Sequence, residues 1–338
     1  MAGNSIGKIF KLTTFGESHS DFTGGVIDGC PSGLKIDIDF IEKEIQRRKP
    51  LDESFSTQRK EEDSVEFVSG IENGITLGSP IAFIVKNKDF KKQDYNHLQE
   101  LFRPSHGDFT YFNKYGIMAS SGGGRASARE TLSRVIGGAI AKLMLKEYGI
   151  EVVGDIHSIG KWDYATQKDE IDKELERIVA SGDSLGGIVS CSVKNCPVGL
   201  GEPVFDKLSA DLAKAIMSIP ATKGFEIGDG FDSTRKYGSE QLDNWNSDFS
   251  TKTNHSGGIQ AGISNGMDIT MKAGFKPIAS LYRKVESIDK DGNIHNVDNS
   301  GRHDRCFIPR AIVIVEAMVA LTIADHLLRS FTNKINRQ

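Results

Sequence analysis

Long apolar runs, paired cysteines and an excess of positive charge are all missing from this 338-residue chain. No stretch reads as a membrane span; the nearest approach, Ala311 to Ala324, is short, carries Glu316 and reads as a buried core helix. The N-terminus, Met-Ala-Gly-Asn-Ser-Ile-Gly-Lys, lacks the apolar core of a secretion signal. Cys30, Cys191, Cys196 and Cys306 show no CxxC spacing, and a chain of this length needs no disulfide framework, so reduced thiols and a cytoplasmic location are expected. A net charge of −4 and a pI near 6.1 speak against general nucleic-acid binding. Any anion site must then be a local basic pocket for a small ligand, with neither nucleic acid nor membrane as partner.

Familiar catalytic signatures are absent too. GxxxxGK(S/T), HExxH and a GxGxxG following a strand do not occur, which lowers the P-loop and dinucleotide-fold readings. The turn Asp289-Lys290-Asp291-Gly292 is no EF-hand, because loop positions one and twelve would be Ser287 and Asp298.

What is present is a set of glycine-rich polar loops. Residues 120 to 131 carry Gly122 to Gly124, then Arg125, Ser127 and Arg129, ahead of Leu132, Val135, Ile136, Ala139, Ile140, Leu143 and Met144 at helical spacing. Glycines allow close backbone approach, and the unpaired amides of a first helical turn favour anions, so this reads as an anion site at a helix start gripped by Arg125 and Arg129. Gly16-Glu17-Ser18-His19-Ser20 and Arg103-Pro104-Ser105-His106-Gly107-Asp108 are further polar loops, each also readable as an ordinary turn. In the second, Asp108 could orient His106. Gly301-Arg302-His303-Asp304-Arg305 is a third, before the helix opening at Pro309. Arg47, Arg48 and Lys49 end the first helix, more cations than its dipole needs. Thr57 to Asp63 is a mixed-charge run that reads as a solvated face.

Apolar patterning predicts strands at Lys8 to Thr14, Gly25 to Gly29, Ser64 to Ser69, Ile81 to Val85, Gly187 to Val193 and Met267 to Lys272. Helices are predicted at Asp39 to Lys49, with a capping box from Asp39 and Glu42, and at Ser127 to Tyr148, Asp169 to Ala180, Asp206 to Ile219 and Pro309 to Ser330. The mixture lacks a regular βα alternation, so the class is α+β, with antiparallel sheets against central helices. No linker divides the chain, which is read as one domain, 1–338. Gly24-Gly25-Val26 followed by Cys30-Pro31-Ser32-Gly33-Leu34 is echoed by Gly186-Gly187-Ile188 followed by Cys196-Pro197-Val198-Gly199-Leu200, which hints at an internal duplication.

Taken in order, GESHS, RRKP, TQRKEED, RPSHGD, GGGRASARET, EIGDGF, NHSGGI and GRHD resemble the signature series of the chorismate synthase family, from Gly3 to about Arg329. The resemblance implies a lyase that converts 5-enolpyruvylshikimate 3-phosphate to chorismate and phosphate by 1,4-anti elimination with reduced FMN, in the shikimate pathway. It further implies two antiparallel sheets sandwiching a layer of long helices, a homotetramer, and in some members NADPH as reductant. Carried over by motif position, His19, His106 and Asp304 are catalytic, and Ser18, Arg48, Arg103, Arg129 and Arg302 bind substrate. FMN falls to Arg125, Ala126, Ser127, Pro220, Ala221, Ala261, Lys276, Pro277, Ile278, Ala279, Ser280 and Arg302. Ser54 stands where the family usually has an arginine, with Arg59 or Lys49 as the cation expected to replace it. Two other classes remain to be separated: a metal-dependent phosphohydrolase using His19, His106, Asp108, His303 and Asp304, and a non-catalytic phosphometabolite or flavin carrier.

Overall fold

The protein is described by a computed structural model over residues 3–18, 20–49, 63–87, 101–117, 123–298 and 304–335. Two five-stranded antiparallel sheets and two long central helices dominate it, in agreement with the α+β class. The first sheet contains β1 (Ser5–Ile6), β2 (Lys11–Phe15), β3 (Phe22–Asp28), β4 (Val65–Ser69) and β7 (Ile81–Lys86), in the order β1-β2-β3-β7-β4. A small hairpin of β5 (Ile71–Glu72) and β6 (Ile75–Thr76) interrupts it. The second sheet contains β9 (Glu151–Ile159), β10 (Trp162–Asp163), β11 (Gly187–Lys194), β12 (Thr222–Ile227) and β15 (Ile269–Phe275), in the order β10-β9-β11-β15-β12. Its small hairpin is β13 (Ile259–Gln260) with β14 (Ile263–Ser264). β8 (Leu101–Phe102) joins β16 (Lys284–Asp289) and β17 (Ile294–Asp298) in a third, three-stranded sheet. The helices are α1 (Ile38–Arg47), α2 (Asp108–Tyr115), α3 (Thr131–Glu147), α4 (Lys168–Ser181), α5 (Leu208–Met217) and α6 (Ile308–Ser330).

Alternation explains the strands. In β15, Ile269, Met271, Ala273 and Phe275 are buried while the residues between them are not, the period of a half-covered sheet. Packing explains the helices. α3 rests on the first sheet, where a Cβ on Gly137 would come 2.8 Å from Leu12 Cδ2. On its other side, a Cβ on Gly138 would lie 2.3 Å from Ala317 Cβ of α6, so only glycine permits this crossing. α6 in turn packs on β9 and β11.

Several predicted boundaries move, β2 to Lys11–Phe15, β15 to Ile269–Phe275 and α5 to Leu208–Met217 among them, and two shifts have a visible cause. α1 is capped by Asp37, whose side chain accepts from Phe40 N at 3.0 Å, not by Asp39. α3 starts at Thr131 rather than Ser127, because residues 124–126 and 128–130 form two short 3-10 turns. α6 runs well beyond Ala311 to Ala324 and is long and apolar enough to cross a membrane, yet 94% of its most apolar stretch is buried inside the protein. Its charged residues are internally paired. Glu316 binds Arg47 at 2.6 and 2.8 Å and Gly154 N at 2.8 Å, while Asp325 Oδ1 takes the backbone amides of Lys8, Ile9 and Phe10 at 2.8, 2.7 and 3.1 Å.

The echoed segments share their hydrogen bonds. Thr76 Oγ1 donates to Pro31 O at 2.7 Å and accepts from Leu34 N at 3.0 Å; Ser264 Oγ donates to Pro197 O at 2.6 Å and accepts from Leu200 N at 2.8 Å. Each turn leaves the central strand of its sheet and leads to a short helix, α1 or α5.

Candidate active site

A continuous chain of polar contacts joins loops from distant parts of the sequence. It begins in the connection from β2 to β3, where Ser20 N donates to Glu17 O at 3.3 Å across the buried Ser18 and Ser20 Oγ donates to Phe22 O at 2.6 Å. Asn87, just after β7, donates from Nδ2 to Ser20 O at 2.6 Å, and its Oδ1 accepts from Arg129 Nε and Nη2 at 3.0 and 2.9 Å. Arg129 Nη1 meets Asp63 Oδ1 at 2.8 Å, and Arg48 Nη2 meets Asp63 Oδ2 at 3.3 Å. Arg48 is the C-cap of α1, and its carbonyl accepts from Arg310 Nε at 2.8 Å. Arg310 Nη1 pairs with Asp304. Arg129, Arg48 and Asp304 are thus brought onto one path, which enters at Ser20 in the loop that carries Ser18, whereas His19, Arg302, His303, Ser54 and Arg59 lie outside the described residues.

The charges on this path are withdrawn from water: Arg48 is 2%, Asp63 6% and Arg129 6% exposed. Burying ions costs several kcal/mol each unless they are paired, and apolar packing would often be as stable, so such a cluster is weak support for a purely structural role. Asp63 corrects the sequence reading. It belongs to the mixed-charge run, but it is buried between two arginines rather than on a solvated face.

The expected anion site at a helix start is also rearranged. Arg125 and Arg129 do not form one grip: Arg125 turns back onto the first sheet, giving Nη1 to Gly16 O at 3.1 Å and Nη2 to Thr14 Oγ1 at 2.7 Å. Ser127 Oγ accepts from Arg129 N at 3.3 Å. The positive end of α3 already faces a carboxylate, Glu130, which accepts from Thr14 Oγ1 and Arg134 Nε, each at 2.7 Å.

A second cluster surrounds His106. Its Nδ1 lies 2.9 Å from Pro104 O and its Nε2 3.0 Å from Ser280 Oγ. A carbonyl can only accept, so Nδ1 carries a proton and, in the neutral ring, Nε2 accepts from the Ser280 hydroxyl. Burial, followed by the nearby Arg103 charge, pushes the His106 pKa below its ordinary value and favours that neutral ring. Asp108 does not orient His106 as expected. Its carboxylate takes a two-pronged bond from Arg103, Nε at 2.8 Å and Nη2 at 2.9 Å, plus Arg103 N at 3.1 Å. Burial works to raise the Asp108 pKa, but the Arg103 bonds prevail and hold it low. Arg103 therefore points its fork inward, at Asp108.

Candidate flavin residues gather on the same cluster. Lys276 Nζ donates to Ser105 O at 3.2 Å and Lys276 N to Ala221 O at 2.9 Å, which places the segment Lys276, Pro277, Ile278, Ala279, Ser280 beside Pro220 and Ala221. Ser184 Oγ holds Ile278 O at 2.6 Å. A Cβ on Gly107 would sit 3.8 Å from Ala126 Cβ, so the His106 loop also meets the glycine-rich segment. Ser105, Ala221 and Ala261 adopt left-handed backbone, φ 60°, 68° and 53°. Each costs of order 1 kcal/mol, and such strain collects where a wall of backbone must be shaped for a ligand. Ala261 itself stands on the β13–β14 hairpin, whose Gly262 O accepts from Leu208 N at 2.8 Å at the start of α5.

EIGDGF and NHSGGI, left without chemistry by the sequence, pack on each other. Asp229 Oδ2 accepts from Lys236 Nζ at 2.6 Å and Gln241 Nε2 at 2.9 Å and lies 2.9 Å from His255 Nδ1. The Lys236 bond leads in holding Asp229 well below the usual carboxylate range. Residues missed by the sequence reading are Asp63, Asn87 and Arg310. Arg310 alone left a trace, as a cation in the first turn of a helix whose dipole disfavours it.

Among the described residues, no three His, Cys, Asp or Glu side chains gather as a metal-ligand set. Of the ligands a phosphohydrolase would use, Asp108 is engaged by Arg103, Asp304 by Arg310, and His106 by Pro104 and Ser280.

Known proteins give the same direction. The sequence model of the family "Chorismate synthase" matches residues 10–328. The chorismate synthase of Christiangramia forsetii is 50% identical over 99% of this chain and 100% of its own length. Those of Flavobacterium psychrophilum and Prochlorococcus marinus are each 49% identical over 97% of this chain and 98% of theirs. A solved structure titled "Crystal Structure of Chorismate Synthase" superposes with a TM-score of 0.75 at 28% identity, covering 98% of this chain and 95% of that one. With the family pattern spanning nearly the whole fold, the chain belongs to the chorismate synthase family.

Proposed function

We propose that this chain catalyses the chorismate synthase reaction, conversion of 5-enolpyruvylshikimate 3-phosphate to chorismate and phosphate in the shikimate pathway of aromatic amino acid biosynthesis. It is a carbon–oxygen lyase. The observation that carries the reading is the single path of contacts from the loop of Ser18 through Arg129, Arg48 and Asp304, residues assigned by motif from both ends of the chain. Two carboxylates and a phosphate on the substrate match the buried arginines Arg48 and Arg129, with Arg103 and Arg302 completing the set by motif.

The elimination removes a proton from C6 and breaks the C3–O bond on the opposite face, so that a new double bond forms and phosphate leaves with its electron pair. Asp304, by its motif position, assists removal of the C6 proton, and Arg310 pairs with it. His19, by its motif position, protonates the departing phosphate, and Ser18 places it. His106, its ring fixed by Pro104 and Ser280, protonates or polarises the flavin by its motif position. The enzyme works chiefly by holding these groups in register.

Reduced FMN, when bound, supplies electron density transiently, with no net oxidation. The residues present fit such a planar anion: a small side chain on strained backbone at Ala221 beside the polar rim of Lys276 and Ser280, with Ala126 against the His106 loop, while Arg125, Ser127 and Ala261 are assigned by motif. NADPH is proposed as the source of the electrons that keep the flavin reduced. The assembly is proposed to be a homotetramer, a reading supported by the exposed Phe231, Tyr237, Leu242, Trp245 and Phe249 around the Asp229 cluster. A single domain, 1–338, with helices sandwiched between duplicated sheets is supported by the contacts of α3 and α6 and by the shared strand order. A cytoplasmic location is supported by four buried, unpaired cysteines.

The test is an anaerobic assay with 5-enolpyruvylshikimate 3-phosphate and reduced FMN. Chorismate and phosphate should form together. Phosphate released at full rate without flavin would reject the lyase reading, and turnover from oxidised FMN plus NADPH alone would establish self-reduction.

A further inference from the structure

Arg310 has no role in any motif reading, yet it occupies the joint between two groups that matter most to the proposed chemistry. It sits in the first turn of α6, where a cation opposes the helix dipole. Its Nε bonds Arg48 O at 2.8 Å, one of the carbonyls left without a helical partner at the end of α1, and its Nη1 pairs with Asp304. The planar guanidinium fixes the angle between those bonds, which a lysine ammonium cannot do. α6 grips α1 a second time through Glu316 and Arg47, at 2.6 and 2.8 Å, so the turn that carries Arg48 is held from both sides of its axis. The Arg48 side chain then meets Asp63.

The other half of the molecule has the same device. Arg134, in α3, donates to Ser218 O, the C-cap of α5, at 3.1 Å, and pairs with Glu130 at 2.7 Å. A helix-capping arginine is therefore part of the shared plan. What distinguishes Arg310 is which carboxylate it holds: Asp304, assigned by motif to the chemistry, where Arg134 holds Glu130.

We propose that Arg310 is a positioning residue for the elimination, setting the Asp304 carboxylate and the Arg48-bearing end of α1 in one register. It acts through Asp304 on turnover and through Arg48 on substrate binding. The inference rests on the lyase reading given above.

The test is a double-mutant cycle on the full-length enzyme, assayed anaerobically with reduced FMN, with thermal unfolding of every variant as the control for folding. Arg310→Ala should lower kcat by roughly 10²-fold, the scale of a misplaced reacting group, and raise KM several-fold. Asp304→Asn should lower kcat with KM little changed. In the double variant, kcat should fall no further than in Asp304→Asn alone, while the KM increase of Arg310→Ala persists. Arg310→Lys should recover part of one parameter, not both. Losses that multiply in the double variant, or wild-type kcat and KM in Arg310→Ala, would overturn the proposal. If Arg310→Ala does not fold, the cycle is run with Arg310→Gln, judged by the same two outcomes. A wild-type enzyme that forms no chorismate would instead sink the lyase reading itself, so the two failures are distinct.

Discussion

Four strands of each sheet follow one order, β2-β3-β7-β4 and β9-β11-β15-β12, and the two sheets share a turn, yet their loops differ in character. In the first half, α1 ends at Arg48 and leads towards Asp63; at the corresponding place in the second half, α5 ends at Ser218 and leads to Pro220 and Ala221. One half supplies buried charge, with Asn87, Asp63 and Arg129 around the Ser18 loop. The other supplies shaped backbone, with Ala221, Ala261 and the segment from Lys276 to Ser280. In the proposed reading, similar turns present an anion clamp in one half and a wall for a flat ring in the other. The difference lies in a few loop residues, where substitution disturbs packing least.

If the first half works by buried charge, removing that charge should have the largest effect in the molecule. Asp63→Ala leaves Arg48 and Arg129 without their common partner and is expected to destabilise the protein by about 3 kcal/mol or more, while raising KM for the substrate. Urea unfolding and steady-state kinetics measure both. A loss under 1 kcal/mol with unchanged KM would mean the arginines are held elsewhere, and the contrast between halves would weaken.

His106 lies where the halves meet, between the Ala126 turn and Ser280. His106→Ala should leave the fold intact and lower turnover by about 10²-fold, the usual scale of acid-base assistance. Its pH signature has a definite sign. The folded pKa is lowered by burial and then by Arg103, with Lys276 adding to that and Asp108 opposing it, so above the unfolded value of about 6.5 both states are neutral and no stability is at stake. As pH falls through about 6.5, the unfolded chain gains a proton that the folded one resists, and stability drops by at most about 1.4 kcal/mol per pH unit. His106→Gln should therefore lose less stability than wild type between pH 7.5 and 5.5. His326, also lowered by burial and then by Arg329, contributes the same sign in both proteins and serves as the background. Parallel pH curves would show that His106 is accessible to protons in the folded state.

Alternating strands such as β15, the buried course of α6 and the polar loops were all legible, because they are written in local spacing. The partners were not. Asp63 reads as one charge in a run until the fold brings α1 and the 128–130 turn to it, and Asn87 has no local pattern at all. Asp108 was paired with its nearer neighbour His106, but the two-pronged geometry of a guanidinium gave Arg103 the carboxylate. The start of α3 was misplaced because Glu130, Thr14 and Arg134 satisfy one another there, so the helix begins where that tertiary cluster allows. Left-handed backbone at alanine was invisible as well, since only glycine announces it in sequence.

That last feature gives the smallest and sharpest test of the second half. At φ 68°, Ala221 holds a conformation that glycine adopts freely, while its carbonyl accepts from Lys276 N at 2.9 Å. Ala221→Gly relieves the strain but gains freedom in the unfolded chain, so the net gain in stability should be at most about 1 kcal/mol. If the strain serves to shape a flavin wall, the looser backbone should weaken FMN binding several-fold even as thermal stability holds or rises. Fluorescence titration of oxidised FMN against both proteins reads the first effect, and thermal unfolding without flavin reads the second. Tighter or equal FMN binding in Ala221→Gly would make the left-handed turn a matter of chain geometry alone, and would leave Lys276 and Ser280 to carry the flavin side of the comparison.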